Sequence, residues 1–321
     1  MERAWQVWIC EGVKVSIIKK QTAILVLLIC LLSLTACQKE AKVSVNPLFY
    51  KVSDDNSSVY ILGSIHVGRM NIYPLPKEIM SAYGKCDTVM FEIDYQTTSD
   101  FDYEIPRDKT EALVGAETVE RAVETVKEKY HSMKRIAQKA YPSVDMNNID
   151  QAGFFTLQGL LTLCANTKSA LLTDCGIDRA FLGYALRDKK SIMGAESAEE
   201  QFKLTYSDLP PEAYSEILNE AIAVEEAAKR VNALYEMWCN GDAAAIEQVE
   251  LEPMRQAGEN SWQHILYERF LTRNQHMTDM IVQQLENDTT TFVVFGVAHI
   301  VGEEGIINQL QQLGYTVELL P

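Results

Sequence analysis

The chain lacks most of the short motifs that announce an enzyme. It has no H-E-x-x-H, no G-x-S-x-G, no glycine-rich P-loop and no G-x-G-x-x-G. Those gaps set aside the zincin helix, the nucleophile elbow and both phosphate-cradling glycine loops. None of its seven cysteines falls in a C-x-x-C spacing, so a structural zinc knuckle is excluded by pattern. No internal repeat of solenoid period and no low-complexity stretch is present. Positive charge is short: 29 Lys and Arg stand against 45 Asp and Glu, a formal net charge of −16. Such a surface disfavours nucleic acid and anionic lipid headgroups as partners. Long apolar runs are missing as well, because the most hydrophobic stretch, residues 22–36, is too short for a comfortable membrane span.

That stretch has another reading. Lys19-Lys20 precede it, and it ends Leu34-Thr35-Ala36-Cys37. A basic segment, a short apolar core and small residues before the cut describe a secretory signal. Leu-Thr-Ala-Cys also resembles the bacterial lipobox, in which the cysteine becomes the lipidated N-terminus. Residues 1–36 are therefore expected to be a signal peptide, Cys37 the lipidation site, and residues 37–45 a polar tether. Trp5, Trp8 and Cys10 fit no part of a signal, and they suggest a start assigned too far upstream, with the true one near Val13 or Val15. Residues 1–36 carry four basic and two acidic side chains, so cleavage leaves a net charge of −18. The domain is expected outside the cytoplasm, anchored to the membrane by lipid. Four cysteines remain there, Cys86, Cys164, Cys175 and Cys239; an exported location permits disulfides, and Cys164 with Cys175 is the nearest pair.

What the sequence does contain is an echo. Residues 59–62 read as a strand that breaks into Gly63-Ser64-Ile65-His66-Val67-Gly68. Residues 292–295 read as another that breaks into Gly296-Val297-Ala298-His299-Ile300-Val301-Gly302. Either copy alone describes a satisfied histidine near a turn. With only five histidines in the chain, two in matching contexts point to one shared site. Glycine at a strand end allows a bend or a close approach. In open α/β sheets the crevice outside the strand C-termini is where ligands bind.

The remaining pattern is α/β, with a mixed central sheet and a large helical insertion. Residues 48–52 and 58–62 form a hairpin across Asp54-Asp55-Asn56-Ser57. Pro76 opens a helix over 77–83. Residues 88–94 are a strand that carries Glu92 near its end, and residues 191–196 are a strand that ends in Glu196. Ser197 and Glu200 make a capping box directly after it. Helices are expected over 111–139, 154–164 and 177–185, with Asp178 capping the last. One long helical region is expected from Pro210-Pro211 to about Trp238, with Asp242 capping the next helix. The helical insertions thus fall at about 107–188 and 197–286. Over 261–286 the apolar stripe Trp262, Leu266, Phe270, Met277, Ile281 and Leu285 is completed by Arg273. An arginine on that stripe needs a carboxylate or an anion. A last strand, helix and strand, residues 289–295, 306–313 and 315–320, reads as a right-handed parallel unit.

His66, Glu92, Glu196 and His299 all fall at strand ends. Two imidazoles and a carboxylate are a common ligand set for a divalent transition metal, with a position left for water. The expected metal ligands are His66, His299 and Glu92, with Glu196 as general base. Arg273 either stabilises an oxyanion or orients a carboxylate. Ser64, beside His66, is read as a hydrogen-bond donor in the turn.

The motifs together resemble the TraB/GumN family. They are the first G-x-x-H with Tyr73-Pro74-Leu75-Pro76, Phe91-Glu92-Ile93-Asp94, Gly176-Ile177-Asp178, Glu196 with Gln201, Trp238 with Gly241-Asp242, Arg273-Asn274, the second G-x-x-H, and Gly314-Tyr315. The resemblance covers roughly residues 46–321. Ser64 stands where threonine is common, and Cys175 precedes Gly176. The family includes the Tiki metal-dependent proteases and bacterial members linked to peptide pheromone control. The resemblance implies a fold similar to the erythromycin-esterase and ChaN-like proteins. It implies His66 and His299 as the paired histidines, Glu92 as the essential acid, and Asn274 as a site residue beside Arg273. The function it implies is a metallopeptidase acting on peptides or exposed protein termini, with manganese, cobalt or zinc. The alternative is a non-catalytic lipoprotein that sequesters a peptide or small ligand; an esterase or haem-handling role would borrow only from the shared fold.

Overall fold

The computed structural model describes residues 41–95, 103–287 and 290–321. The signal peptide and Cys37 lie outside them. The fold described is that of one compact unit, Val43–Pro321. At its centre is a six-stranded mixed sheet of β1 (Phe49–Ser53), β2 (Ser58–Ser64), β3 (Thr88–Ile93), β4 (Ser191–Glu196), β5 (Thr291–Gly296) and β6 (Thr316–Leu319). Its spatial order is β4-β3-β5-β2-β1-β6. The four strands β4, β3, β5 and β2 run parallel, and β1 is antiparallel to β2 in the expected hairpin. The Asp54 carboxylate closes that hairpin by accepting from the Asn56 and Ser57 N–H groups at 2.8 and 2.7 Å.

The last unit departs from expectation. Strand β6 does run parallel to β5, but it crosses two strands and pairs antiparallel with β1 at the sheet edge. Val317 is its only half-buried position, and so little apolar surface left its place in the sheet unspecified by pattern.

Strands β2, β3 and β5 are largely buried on both faces, as a covered sheet requires, while the edge strand β4 is exposed or half-buried until Ala195 and Glu196. On one side helix α1 (Lys77–Lys85) supplies Tyr83, which meets Phe181 and Phe292 edge-on at 5.4 and 5.8 Å.

Between β3 and β4 come α2 (Arg107–Val114), α3 (Ala116–Ala140), α4 (Phe154–Lys168) and α5 (Ile177–Asp188). The single helix expected over 111–139 is divided at Gly115, whose φ of +86° suits glycine and breaks the helical ladder. Between β4 and β5 come α6 (Ala198–Tyr206), α7 (Pro211–Ile222), α8 (Val224–Asn240), α9 (Ala243–Glu250), α10 (Glu252–Arg255) and α11 (Trp262–Glu286). The expected long helix from Pro210 is α7 and α8, parted at Ala223, a position that no proline or glycine marks in the sequence. Two of the expected caps are present, Ser197 with Glu200 on α6 and Asp242 on α9, and Ser261 caps α11 as well.

The insertions split between two cores. Helices α2, α3, α4 and α7 build a second apolar cluster around Phe154, Leu157, Leu161 and Leu218. Helices α5 and α11, with Trp238 of α8, instead pack on the sheet through Phe181, Met277 and Ile281. Phe181 stacks on Phe292 of β5 at 4.9 Å. Cys86, Cys164, Cys175 and Cys239 are buried free thiols. The Cys164–Cys175 pairing is therefore not made; Cys164 packs its sulfur on Met133 instead, 3.4 Å away. Among the described residues no helix is long and apolar enough to cross a membrane.

Candidate functional site

The two G-x-x-H segments leave the sheet side by side. Strands β2 and β5 pair in parallel register with Gly63 opposite Phe295 and Ser64 opposite Gly296. His66 and His299 follow two and three residues later at the same edge. Glu92 ends β3 beside β5, and Glu196 ends β4 beside β3. Four consecutive strands thus deliver four candidate groups to one edge, the crevice where open sheets bind ligands.

The second motif turns into a one-turn helix, α12 (Val297–Ile300), before helix α13 (Ile306–Gln312) begins. Its glycine serves a carboxylate rather than a bend. A Cβ on Gly296 would sit 2.7 Å from Glu92 Oε1, and the Gly296 N–H donates to that oxygen at 2.6 Å. Gly176 plays a matching part for the first motif, because a Cβ there would lie 2.3 Å from the His66 carbonyl oxygen.

His299 is buried against Phe270, whose ring stacks on it at 4.4 Å. Asn274 Nδ2 donates to the Glu304 carbonyl at 3.0 Å, which turns Oδ1 towards His299 Nδ1, 2.6 Å away. The ring must therefore carry its proton on Nδ1 and present an unprotonated Nε2. Burial also pushes the His299 pKa down to about 4, despite the pull of Glu92. Nε2 faces Glu92 Oε2 across 3.8 Å.

Glu92 is buried, which alone would raise its pKa. That push is outweighed by His299, His66, Arg273 and the Gly296 N–H, and the carboxyl settles at about 2. Its Oε2 also accepts from Gln201 Nε2 and Arg273 Nη2, each at 3.1 Å. Arg273 continues to Glu196, with Nε 3.0 Å from both oxygens. The arginine on the apolar stripe therefore bridges two carboxylates, its side chain 11% exposed and theirs 9% and 4%. Glu196 faces the guanidinium. Its expected task as a base would have to be done from behind Arg273.

His66 is the open group, with 66% of its side chain exposed. Its Nδ1 bonds Asp178 Oδ2 at 2.9 Å, and the Ser64 hydroxyl donates to Asp178 Oδ1 at 2.8 Å. The Asp178 charge raises the His66 pKa, to about 9, an attraction that solvent on the open face screens in part. Ser64 is thus a donor in the turn, as read from sequence. Asp178 is the residue the sequence reading misplaced. Gly176 takes the N-cap position of α5, and Asp178 sits in the first turn facing the site. A buried aspartate two residues past a cap looks like a capping residue in sequence, because only the fold brings β2 against α5. Gln201 stands with Glu196 in the sequence motif but without an assigned role, being one polar residue on a charged helix.

The expected ligands His66, His299 and Glu92 do not close around a common point. Among the described residues no group of three or more His, Cys, Asp or Glu side chains is placed to hold a metal ion. The physical reason is that Glu92 is turned onto Gly296, Gln201 and Arg273, and His66 onto Asp178. Nevertheless the donor chemistry fits. Each imidazole has Nδ1 committed to an acceptor and Nε2 open, as histidines that ligate metals usually do.

The sequence model of the TraB/PrgY/gumN family matches residues 48–319. The chain belongs to that family. The match spans both G-x-x-H motifs, Glu92, Asp178, Glu196 and the Arg273-Asn274 pair, so the groups gathered at the sheet edge all lie within it. Comparison with curated proteins and with solved structures returns no match.

The Asn274 contact has a measurable consequence. Asn274→Leu strands the His299 Nδ1–H, while the Glu304 carbonyl keeps the Gln309 side-chain N–H at 2.9 Å, and one buried donor left unpaired costs about 1–3 kcal/mol. Urea unfolding should show that loss, and the imidazole nitrogen shifts of His299 should show a mixed tautomer. A single Nδ1–H tautomer in the variant would mean that something other than Asn274 sets it.

Proposed function

We propose that the chain is a metal-dependent hydrolase of the cell envelope that acts on peptides. The observation that carries this reading is the pairing of two acceptors, the unprotonated His299 Nε2 and the ionised Glu92 Oε2, across 3.8 Å. Two lone-pair donors held face to face in a buried site call for a cation between them. His66, His299 and Glu92 are the residues that would hold it. A bound divalent ion supplies Lewis-acid polarisation of a carbonyl and a water of lowered pKa. Manganese, cobalt and zinc suit such a nitrogen and oxygen set.

The chain's own groups have separate tasks in this reading. Asp178 and Asn274 orient the two imidazoles. Arg273 holds Glu92 and Glu196 in place and favours the ionised form of Glu92, and Gln201 fixes the rotamer of Glu92. His66, exposed and next to the opening, meets the substrate first. The proteases within the resembled family support a peptide substrate, as does the absence of any phosphate-cradling loop in the sequence.

Metal content and peptide turnover measured on the same preparations test the proposal. Chelation should abolish turnover, and one of the three metals should restore it. Glu92→Gln should lose metal and turnover together, by a hundredfold or more in rate. Glu196→Gln that keeps metal but not turnover would give Glu196 the base role; retention of both would leave it the partner of Arg273. Selective peptide binding unaffected by chelator, with no turnover under any metal, would replace the hydrolase by a sequestering lipoprotein.

The same reading places the protein at the membrane through lipid on Cys37, facing away from the cytoplasm. Two or three acyl chains anchor a protein far better than one. Cys37→Ala should move it from the membrane fraction to the soluble one and lower its mass by the acyl chains. Unchanged fractionation and unchanged mass would refute the anchor.

A further inference from the structure

A second cavity adjoins the site through Gln201. It has a volume of about 870 Å³ and lies between α4 and α6, with Tyr141 at one side. Five aromatic rings line it, Tyr103, Tyr141, Phe155, Phe202 and Tyr206, among polar residues that include Ser143, Gln158 and Thr205. Phe155 meets Phe202 and Tyr206 edge-on at 5.1 and 5.0 Å, and Tyr103 lies 5.3 Å from Phe202. Positions 198, 201, 202, 205 and 206 fall on one face of α6, and that face lines the cavity. The same helix starts directly after Glu196, so the sheet edge that carries the site also sets the cavity wall. Gln201 belongs to both, since it lines the cavity and donates to Glu92 Oε2 at 3.1 Å.

We infer that this cavity is the specificity pocket of the site and takes one large aromatic or aliphatic side chain of a bound peptide, adjacent to the bond offered to His299 and Glu92. The inference rests on the peptide reading above and names what that reading leaves open. Three features of the cavity favour this occupant. Its volume is that of an ordinary ligand pocket. Rings that already pack edge-to-face present both edges and faces to an entering ring. No basic residue lines it among the described residues, so an acidic side chain would find no cationic partner in them. The Glu104 carboxylate on the wall is already committed to the Phe155 and Thr156 N–H groups at the start of α4, at 2.9 and 3.0 Å.

The test uses the full chain and two dye-labelled heptapeptides that differ only in a central phenylalanine or serine. Fluorescence anisotropy should give about tenfold or more tighter binding of the phenylalanine peptide, the value of burying one such side chain. Ala198→Trp, which projects a large ring into the cavity from α6 and obstructs it beside Gln201, should bring the two affinities together. Thr205→Phe provides a second filling variant should the first fail to fold. Equal affinities in the wild type would overturn the inference, as would a preference that survives both filling variants in folded protein. A preference for phenylalanine without hydrolysis would remove the hydrolase reading and uphold the pocket. Hydrolysis of both peptides at equal kcat/KM would do the reverse.

Discussion

Arg273→Met is expected to lower the free energy of unfolding by about 3–5 kcal/mol, the usual cost of taking one partner from a buried ion pair. The reason lies in what stays behind. Glu196 has no other side-chain hydrogen-bond partner among the described residues, and Glu92 would keep the Gly296 N–H and Gln201. Two carboxylates, 4% and 9% exposed, would then face each other without the cation that separates them. Arg273→Lys should fall between the variant and the wild type, because one ammonium cannot reproduce a planar fork that reaches both acids. Arg273→Met combined with Glu196→Gln should recover part of the loss, since one of the two stranded charges is gone. Urea unfolding with an unchanged m-value measures all three. An Arg273→Met variant within about 1 kcal/mol of the wild type would show that the bridge carries little stability.

That bridge was half legible in the sequence. The stripe of α11 required an apolar residue at position 273 and found arginine, which announces a buried partner but does not name it. Glu92 and Glu196 were visible as carboxylates at strand ends, and the paired glycines placed His66 and His299 at one edge. The strand order that makes them neighbours, β4-β3-β5-β2, is a property of crossovers that no local pattern encodes. For the same reason Asp178 was read as a cap. Its partner Ser64 lies 114 residues away, and only the packing of α5 beside β2 brings the two within hydrogen-bond reach. The break at Ala223 and the antiparallel pairing of β6 were likewise decided by tertiary contacts. Where the sequence reading went astray on the site, it was in the direction a side chain faces. Asp178 was expected to cap its own helix and faces Ser64 and His66 instead, whereas Arg273 finds the carboxylates it needed, Glu196 and Glu92, because the second insertion lays α11 across the strand ends.

Acid should destabilise the protein well before its surface carboxylates titrate, and two site residues set the window. His299 has a folded pKa of about 4 against an ordinary 6.5. A histidine lowered in this way binds its proton more readily in the unfolded chain, so stability falls as pH drops from about 6.5 to 4. Glu92, at about 2 against an ordinary 4.5, contributes stability that is present above 4.5 and lost as pH falls towards 2. Each shift corresponds to roughly 3 kcal/mol. His66 acts in the opposite sense: its pKa is raised, so its contribution is present below 6.5 and lost as pH rises through about 9. With 66% of that side chain in solvent, the alkaline loss should be small beside the acid one. Urea unfolding from pH 3 to 9, with chelator present so that no ion occupies the imidazoles, should therefore give a profile that falls steeply on the acid side. His299→Asn should flatten the fall between pH 6.5 and 4 and also shrink the fall below 4.5, because His299 is the first of the groups that hold the Glu92 pKa down. A wild-type profile level from pH 6.5 to 4 would mean that His299 is charged in the folded state. The face-to-face pair of acceptors on which the metal reading rests would then be an ordinary ion pair.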